Sequence, residues 1–357
     1  MTYFYFIAFF FVLVLFHNSI HETKDNVYIY YFFACFVALA LGLRGNEDEY
    51  TSVFILIPPL EEFFSGNHPT IHGKGIVFSL IASIFKTLTL NSQSIFIFFS
   101  GIGVLLHAYF FRKFTKYYFL AFLLYMSHEL CFKEWVGLRM GMASALLLPM
   151  IYYLKQEKKI HFFILMIVAT LIQYVAILSV FLIFMNKRLN PALLWAGLII
   201  AIVSVKLHVV YNAVWFLQGA DLLPNIVVNY LRTESYVYDA GIMHVKTIQQ
   251  LITVSVLIIL FGYKKKLVSG YYHLLFNAYY LGTLFLVLFS ELALFAFRFN
   301  GHFYSVEPIL ITYIIVSFRE RRFVANVIAS AALLVAYLNY VVLERVSPYD
   351  FLVNSPL

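Results

Sequence analysis

Charge is scarce in this sequence. Only 12% of its residues are Asp, Glu, Lys or Arg, against roughly 25% in a soluble globular domain, so an ordinary soluble fold is excluded. Cysteine is nearly absent, with two in 357 residues. That leaves no disulfide framework and no zinc-type spacing. Cys35 and Cys131 each lie in an apolar run and read as small core residues. The chain has no P-loop, no GxSxG, no HExxH and no GxGxxG with a following acid. His68 and His72 are four apart, but Pro69 argues against the helix that would let them chelate a metal. No metal and no cofactor are expected. Internal repeats, low-complexity tracts and heptads are also missing. The first apolar run, residues 2–16, lacks a basic leader and a small-residue cleavage site and reads as a retained helix.

What is present is apolar and aromatic. Hydrophobic residues make up 62% and aromatics 19%, with 39 Phe and 27 Tyr, a composition suited to a lipid-facing surface with interfacial belts. A spanning helix needs about 20 apolar residues. Stretches 2–17, 27–43, 93–111, 117–135, 137–154, 190–209, 246–262, 271–290, 297–317 and 322–343 meet or approach that length. The expected architecture is an all-α polytopic membrane bundle, with one integral membrane domain over residues 1–357. It has about 10 spanning helices and two short re-entrant or interfacial segments. Those two segments are 75–90, which is short and carries Lys86, and 160–185, which is broken by Gln173-Tyr174.

The net charge of +7 is no nucleic-acid signal, because the basic residues cluster in short connections. These are Arg112-Lys113-Lys116, Lys155-Lys158-Lys159, Lys187-Arg188, Lys264-Lys265-Lys266 and Arg319-Arg321-Arg322. The positive-inside rule places all five in the cytoplasm. Two of them flank 160–185. A single crossing there would put one flank outside, whereas a helical hairpin with Gln173-Tyr174 at its tip keeps all five on one side. Working back from Arg112, the 17–26 connection is inside. Loops 44–74 and 210–245 are then external, together with Arg44, Asp48, Arg139, Glu291, Arg298 and His302.

These external polar residues are the candidate site. Arg44 ends the second helix, with Asp48 and Tyr50 close behind; the alternative is an arginine snorkelling at the headgroups. Arg139 opens a helix rich in Gly141, Ala143, Ser144 and Ala145, where a helix N-terminus and a guanidinium together suit an anion. Arg298 lies in an apolar stretch, four residues before His302, so the two share a helical face; an ion pair with Glu291 is the competing explanation. Arginine binds phosphate bidentately, so three such residues from distant segments can clamp a pyrophosphate. In the 210–245 loop, Asp221, Arg232, Glu234, Asp239 and His244 stand among Tyr and Trp side chains, a mixture suited to sugar rings. His128-Glu129 reads as interfacial.

The order of these features resembles the EpsG-like branch of the Wzy polysaccharide polymerases. It runs from Leu43-Arg44-Gly45 with Asp48 and Tyr50, through the Arg139-led small-residue helix, the broken hairpin and the large loop, to Arg298 and its aromatic-rich helix. The likeness extends to Ser347-Pro348-Tyr349-Asp350-Phe351. The chain departs from the family pattern at Asn46-Glu47, where Gly-Thr is usual, and at Met140, where Gln is usual. It departs again at Gln173-Tyr174, where His is usual, so a histidine role at the tip does not carry over. The resemblance implies a metal-independent, membrane-embedded glycosyltransferase of the C type (GT-C-like) in the bacterial inner membrane. Its active site would face the periplasm. It would polymerise polyprenyl-pyrophosphate-linked oligosaccharide repeat units into O-antigen, capsule or exopolysaccharide. Arg44, Tyr50, Arg139, Arg298 and Arg232 would bind substrate, and Asp48, His302 and Asp239 are the acid–base candidates. The implied partners are the lipid-linked oligosaccharide, the bilayer and other assembly proteins such as a flippase and a chain-length regulator. The alternative is a flippase or transporter of the same lipid, which should show discontinuous helices in matching halves.

Overall fold

The computed structural model describes residues 2–20, 27–43, 54–64, 75–130, 137–223, 241–262 and 270–342, together with the single positions 228 and 231. Helix is the only regular secondary structure among the described residues, which include no strand. The longer helices are α1 (Thr2–Ile20), α2 (Val27–Gly42), α3 (Ile76–Thr87), α4 (Gln93–Phe114), α5 (Tyr118–Leu124) and α6 (Leu138–Lys155). They continue with α7 (Lys159–Ile172), α8 (Pro191–Lys206), α9 (Val209–Gly219), α10 (Val245–Leu257), α11 (Tyr272–Leu288), α12 (Ala293–Tyr304), α13 (Glu307–Val316) and α14 (Arg321–Tyr337). This is a helical membrane protein. Among the described residues, Gln93–Phe114 and Arg321–Val342 are long and apolar enough to cross a bilayer, and α8 with α9 passes as a bent pair. Backbone polar groups at that depth must be satisfied within the segment, which is why apolar stretches fold as helices.

The inner helices are apolar all round. In α11, Leu274 to Leu281 are all buried, and in α5 so are Tyr118 to Leu123, the pattern of a helix enclosed by others. Outer helices turn Phe32, Phe184, Leu193, Ile200 and Ile259 outward. Cys35 is also exposed, so it is no core residue; its helix turns that face away from α4. Cys131 lies outside the described residues.

The basic connections meet at one end. Lys113 Nζ sits 3.8 Å from the centre of the Tyr152 ring, Tyr152 stacks on Tyr271 at 5.8 Å, and Phe114 meets Tyr271 at 5.0 Å. Lys155 and Arg188 both act electrostatically on His273, while Arg321 and Arg322 act on Tyr117. Thr312 donates to Thr115 at 2.7 Å. The 264–266 cluster lies outside the described residues, but the chain resumes at Gly270 beside Lys155. Lys155 and Arg188 thus reach one imidazole from the two flanks of the 160–185 segment, as a hairpin requires. The segment does break at Gln173, whose backbone is extended, and continues as a 3-10 turn over Tyr174–Val180.

The other short segment holds α3, whose 12 residues fall short of the roughly 20 that a crossing needs. Gly75, at φ +87°, packs its backbone on the Leu171 and Ile172 carbonyls at the end of α7. At the far end of α3, Lys86 Nζ donates to the Ile55 and Ile57 carbonyls at 2.9 and 2.7 Å, which ties the 54–64 segment to this helix.

One expected span is broken, and one expected loop begins as a helix. The 297–317 stretch is two helices, α12 and α13, parted at Ser305-Val306. Apolarity alone does not report this break, because Ser305 and Val306 carry no charge; Glu307 and Pro308 already open α13. The 210–245 loop opens with a helix, α9, set at 59° to α8 through His208, which adopts φ 52°.

Candidate functional site

Arg139 and Arg298 come from adjacent helices. Alpha-6 and α12 pack through small residues: Ser305 Oγ donates to the Ser144 carbonyl at 3.1 Å, and the Met140 side chain lies 3.9 Å from where a Cβ on Gly301 would stand. Without a hydrophobic drive between helices in lipid, small residues at i and i+4, here Gly301 and Ser305, are what permit close approach. The matched pairs 140–301 and 144–305 make the two helices run in the same direction. Arg139 is one residue from Met140, and Arg298 is three residues, about 4.5 Å along the axis, from Gly301. Both arginines therefore occupy the end of the bundle opposite the basic connections, and both are half-buried. Arg139 stands in the first turn of α6 after Gly137, as its position beside a helix N-terminus required.

The second helix also ends at that level. Gln93, at the start of α4, donates to the Gly42 carbonyl, while the other end of α4 carries Lys113. The chain leaving Gly42 toward Arg44 thus departs from the same end as Arg139 and Arg298. Arg44, Asp48 and Tyr50 lie outside the described residues, as do Arg232 and Asp239.

His302 is fully buried on α12, and its Nε2 lies 2.7 Å from Ser179 Oγ. Ser179 belongs to the 3-10 part of the broken hairpin, so the hairpin's irregular backbone is buried against the helix bearing Arg298. Glu291, considered above as the partner of Arg298, instead meets His208 Nδ1 through its Oε1, joining the elbow between α8 and α9 to the turn before α12. Two residues beyond Arg298, Asn300 and Gln250 of α10 form a reciprocal amide pair, at 2.7 Å and 3.0 Å, with Thr283 adding 3.2 Å to Gln250 Oε1.

A second polar group surrounds the break between α12 and α13. Glu307 is 4% exposed and accepts a 2.6 Å hydrogen bond from Tyr279. Glu129 is 3% exposed, so it is not interfacial as expected from its place near a helix end. It and Glu307 act electrostatically on both Tyr279 and Tyr304. Lys246 Nζ stands 4.8 Å over the Tyr304 ring and 5.6 Å from that of Phe297. Glu129 ends a π-helical turn, Tyr125–Glu129, whose carbonyls at Ser127 and Met126 accept from Asn339 and Tyr340. Sequence reasoning missed Glu307 and Lys246. The available signal was Glu307 itself, an acid in an apolar stretch, which by default marks a site or pathway.

A family model for the EpsG family matches residues 27–351. The chain belongs to the EpsG family. No curated protein and no solved structure matches it.

Proposed function

We propose that this protein is a glycosyltransferase of the bacterial inner membrane that polymerises polyprenyl-pyrophosphate-linked oligosaccharide repeat units. Its site faces the periplasm, opposite the basic connections, which lie in the cytoplasm, and about 10 helices span the bilayer. The supporting observation is the side-by-side packing of α6 and α12, which carries two arginines to one end of the bundle. Membership of the EpsG family supports a role in polysaccharide biosynthesis.

In the proposed reaction, a hydroxyl of one repeat unit attacks the anomeric carbon of another. A glycosidic C–O bond forms, the bond to pyrophosphate breaks, and the hydroxyl proton passes to a base. Arg139 and Arg298, with Arg44, neutralise the charge growing on the departing pyrophosphate, an interaction that must be stronger in the transition state to raise the rate. Tyr50 and Arg232 serve the sugar. Asp48, Asp239 and His302 are the acid–base candidates. His302 acts through Ser179, and Glu307 joins the candidates because it is buried near the same helix.

The test is Arg→Lys at positions 139 and 298 in a deletion strain, with polymer length read on gels at matched membrane levels. Lysine keeps the charge but loses the bidentate fork, so each variant should fail nearly as badly as Arg→Ala, by roughly 10²–10³ in rate. Full polymer from both lysine variants would return these residues to interfacial anchoring. A second reading, a flippase of the lipid-linked unit, is favoured by the breaks at Gln173, at Ser305-Val306 and at His208, since transporters build sites from discontinuous helices. The deletion strain separates the two readings. A single repeat unit left on its acceptor supports polymerisation, whereas loss of every unit supports translocation.

A further inference from the structure

At the basic end, a crevice opens between α8, the end of α10 and the start of α11. Its lining includes Arg188, His273 and Asn277 on the polar side and Leu194, Leu257, Ile258 and Phe276 on the apolar side. The polar side is built rather than incidental. Asn277, 1% exposed, donates through Nδ2 to the carbonyls of both Met185 and Lys187. It fixes the connection that carries Arg188 against α11, and the positive charges of Arg188 and Lys155 both act on the His273 ring. The elements that supply the apolar side, α8 and the turn after α10, also expose Leu193, Ile200 and Ile259, at 66%, 64% and 59%. A cationic recess backed by an apolar wall that runs out to the lipid-facing surface matches a molecule with an anionic head and acyl tails. A free phosphate would make no use of the wall.

We propose that this crevice binds the headgroup of an anionic phospholipid, with Arg188 and His273 at the phosphate and the acyl chains along α8 and the π-helical turn Ile258–Gly262 that follows α10. Basic recesses between helices suit acidic headgroups because the charge attraction acts at the surface while the tails remain in hydrocarbon. The site lies at the opposite end from Arg139 and Arg298 and does not depend on the function proposed for them.

Native mass spectrometry of the full-length protein in detergent, titrated with phosphatidylglycerol and with phosphatidylcholine, tests the assignment. Phosphatidylglycerol should bind more tightly, and Arg188→Ala should weaken it by roughly five-fold, the worth of one cation at a charged surface. Lys158→Ala, in an exposed neighbouring cluster, should leave it unchanged. Equal binding of the two lipids would overturn the proposal, as would an equal loss with Lys158→Ala. Displacement of phosphatidylglycerol by millimolar inorganic phosphate would point to a free anion and overturn the lipid assignment. A photoactivatable phosphatidylglycerol used on the unsubstituted protein keeps the test open if a variant misfolds. Labelling should fall on peptides spanning 188–194 and 257–277, and labelling confined to other segments would refute the site.

Discussion

Replacing Gln250 by leucine removes both halves of its amide pair with Asn300. The loss exceeds two hydrogen bonds, because Asn300 is fully buried and its carbonyl and amide would both be left without that partner. A buried polar group stranded in this way costs about 1–3 kcal/mol. Thr283 is spared, since it also donates to the Tyr279 carbonyl at 3.0 Å. Asn300→Leu is milder, because Gln250 Oε1 keeps the 3.2 Å bond from Thr283 and only its Nε2 is stranded. We therefore expect Gln250→Leu to cost about 2–3 kcal/mol and Asn300→Leu about 1–2 kcal/mol. The double variant should recover to within about 1 kcal/mol of the parent, because replacing both partners by apolar groups leaves nothing stranded. The implied coupling, about 2 kcal/mol or more, exceeds the values measured between membrane helices, about 0.6 on average and up to about 1.7 kcal/mol, because both polar groups of a fully buried amide are stranded at once. The assay is a double-mutant cycle on reversible unfolding of the purified protein in detergent. Additive single effects, or a double variant worse than either single, would refute the pairing of α10 with α12. Because Asn300 lies between Arg298 and His302, the same variants should be scored for polymer length.

Further consequences can be checked separately. Ser179→Ala should uncouple the hairpin from α12 and shorten polymer at normal protein levels, whereas Ser179→Thr should retain function; equal behaviour of the two would remove the Ser179–His302 contact from the site. Gly282→Ala would set a Cβ 2.7 Å from that of Phe303, and overpacking of that kind costs about 1–3 kcal/mol, seen as a lowered midpoint of thermal unfolding. Gly75→Ala should destabilise by more than about 1 kcal/mol, since φ is +87° and the added carbon meets the Ile172 carbonyl. Cysteines placed at 157 and 188 should label from the same face of the membrane; labelling from opposite faces would sink the hairpin topology.

Several features were legible before any coordinates. Apolar run lengths forecast the helical class, because a chain in lipid must satisfy its backbone locally. The placement of Lys and Arg in short connections forecast that they would share one end, and the described clusters do. The position of Gln173 forecast the hairpin's break, and the four-residue spacing of Arg298 and His302 put both on one helix, α12.

Partner choice was another matter. Hydropathy and charge belong to single residues, and they indicate which segments are helices and which connections share an end. Who meets whom depends on how each helix is rotated and how closely it packs, and lipid supplies no apolar drive to decide that. Small residues and buried polar contacts decide it instead. Ser179 and His302 meet across 123 positions of sequence, Glu291 takes His208 rather than Arg298, and Glu129 is drawn into the interior near Tyr279, Tyr304 and Glu307. The sequence by itself determined a membrane bundle whose basic connections share one end. Only the tertiary structure decided that α6 and α12 lie side by side, because Gly301 and Ser305 let two helices approach that no pattern along the chain had paired.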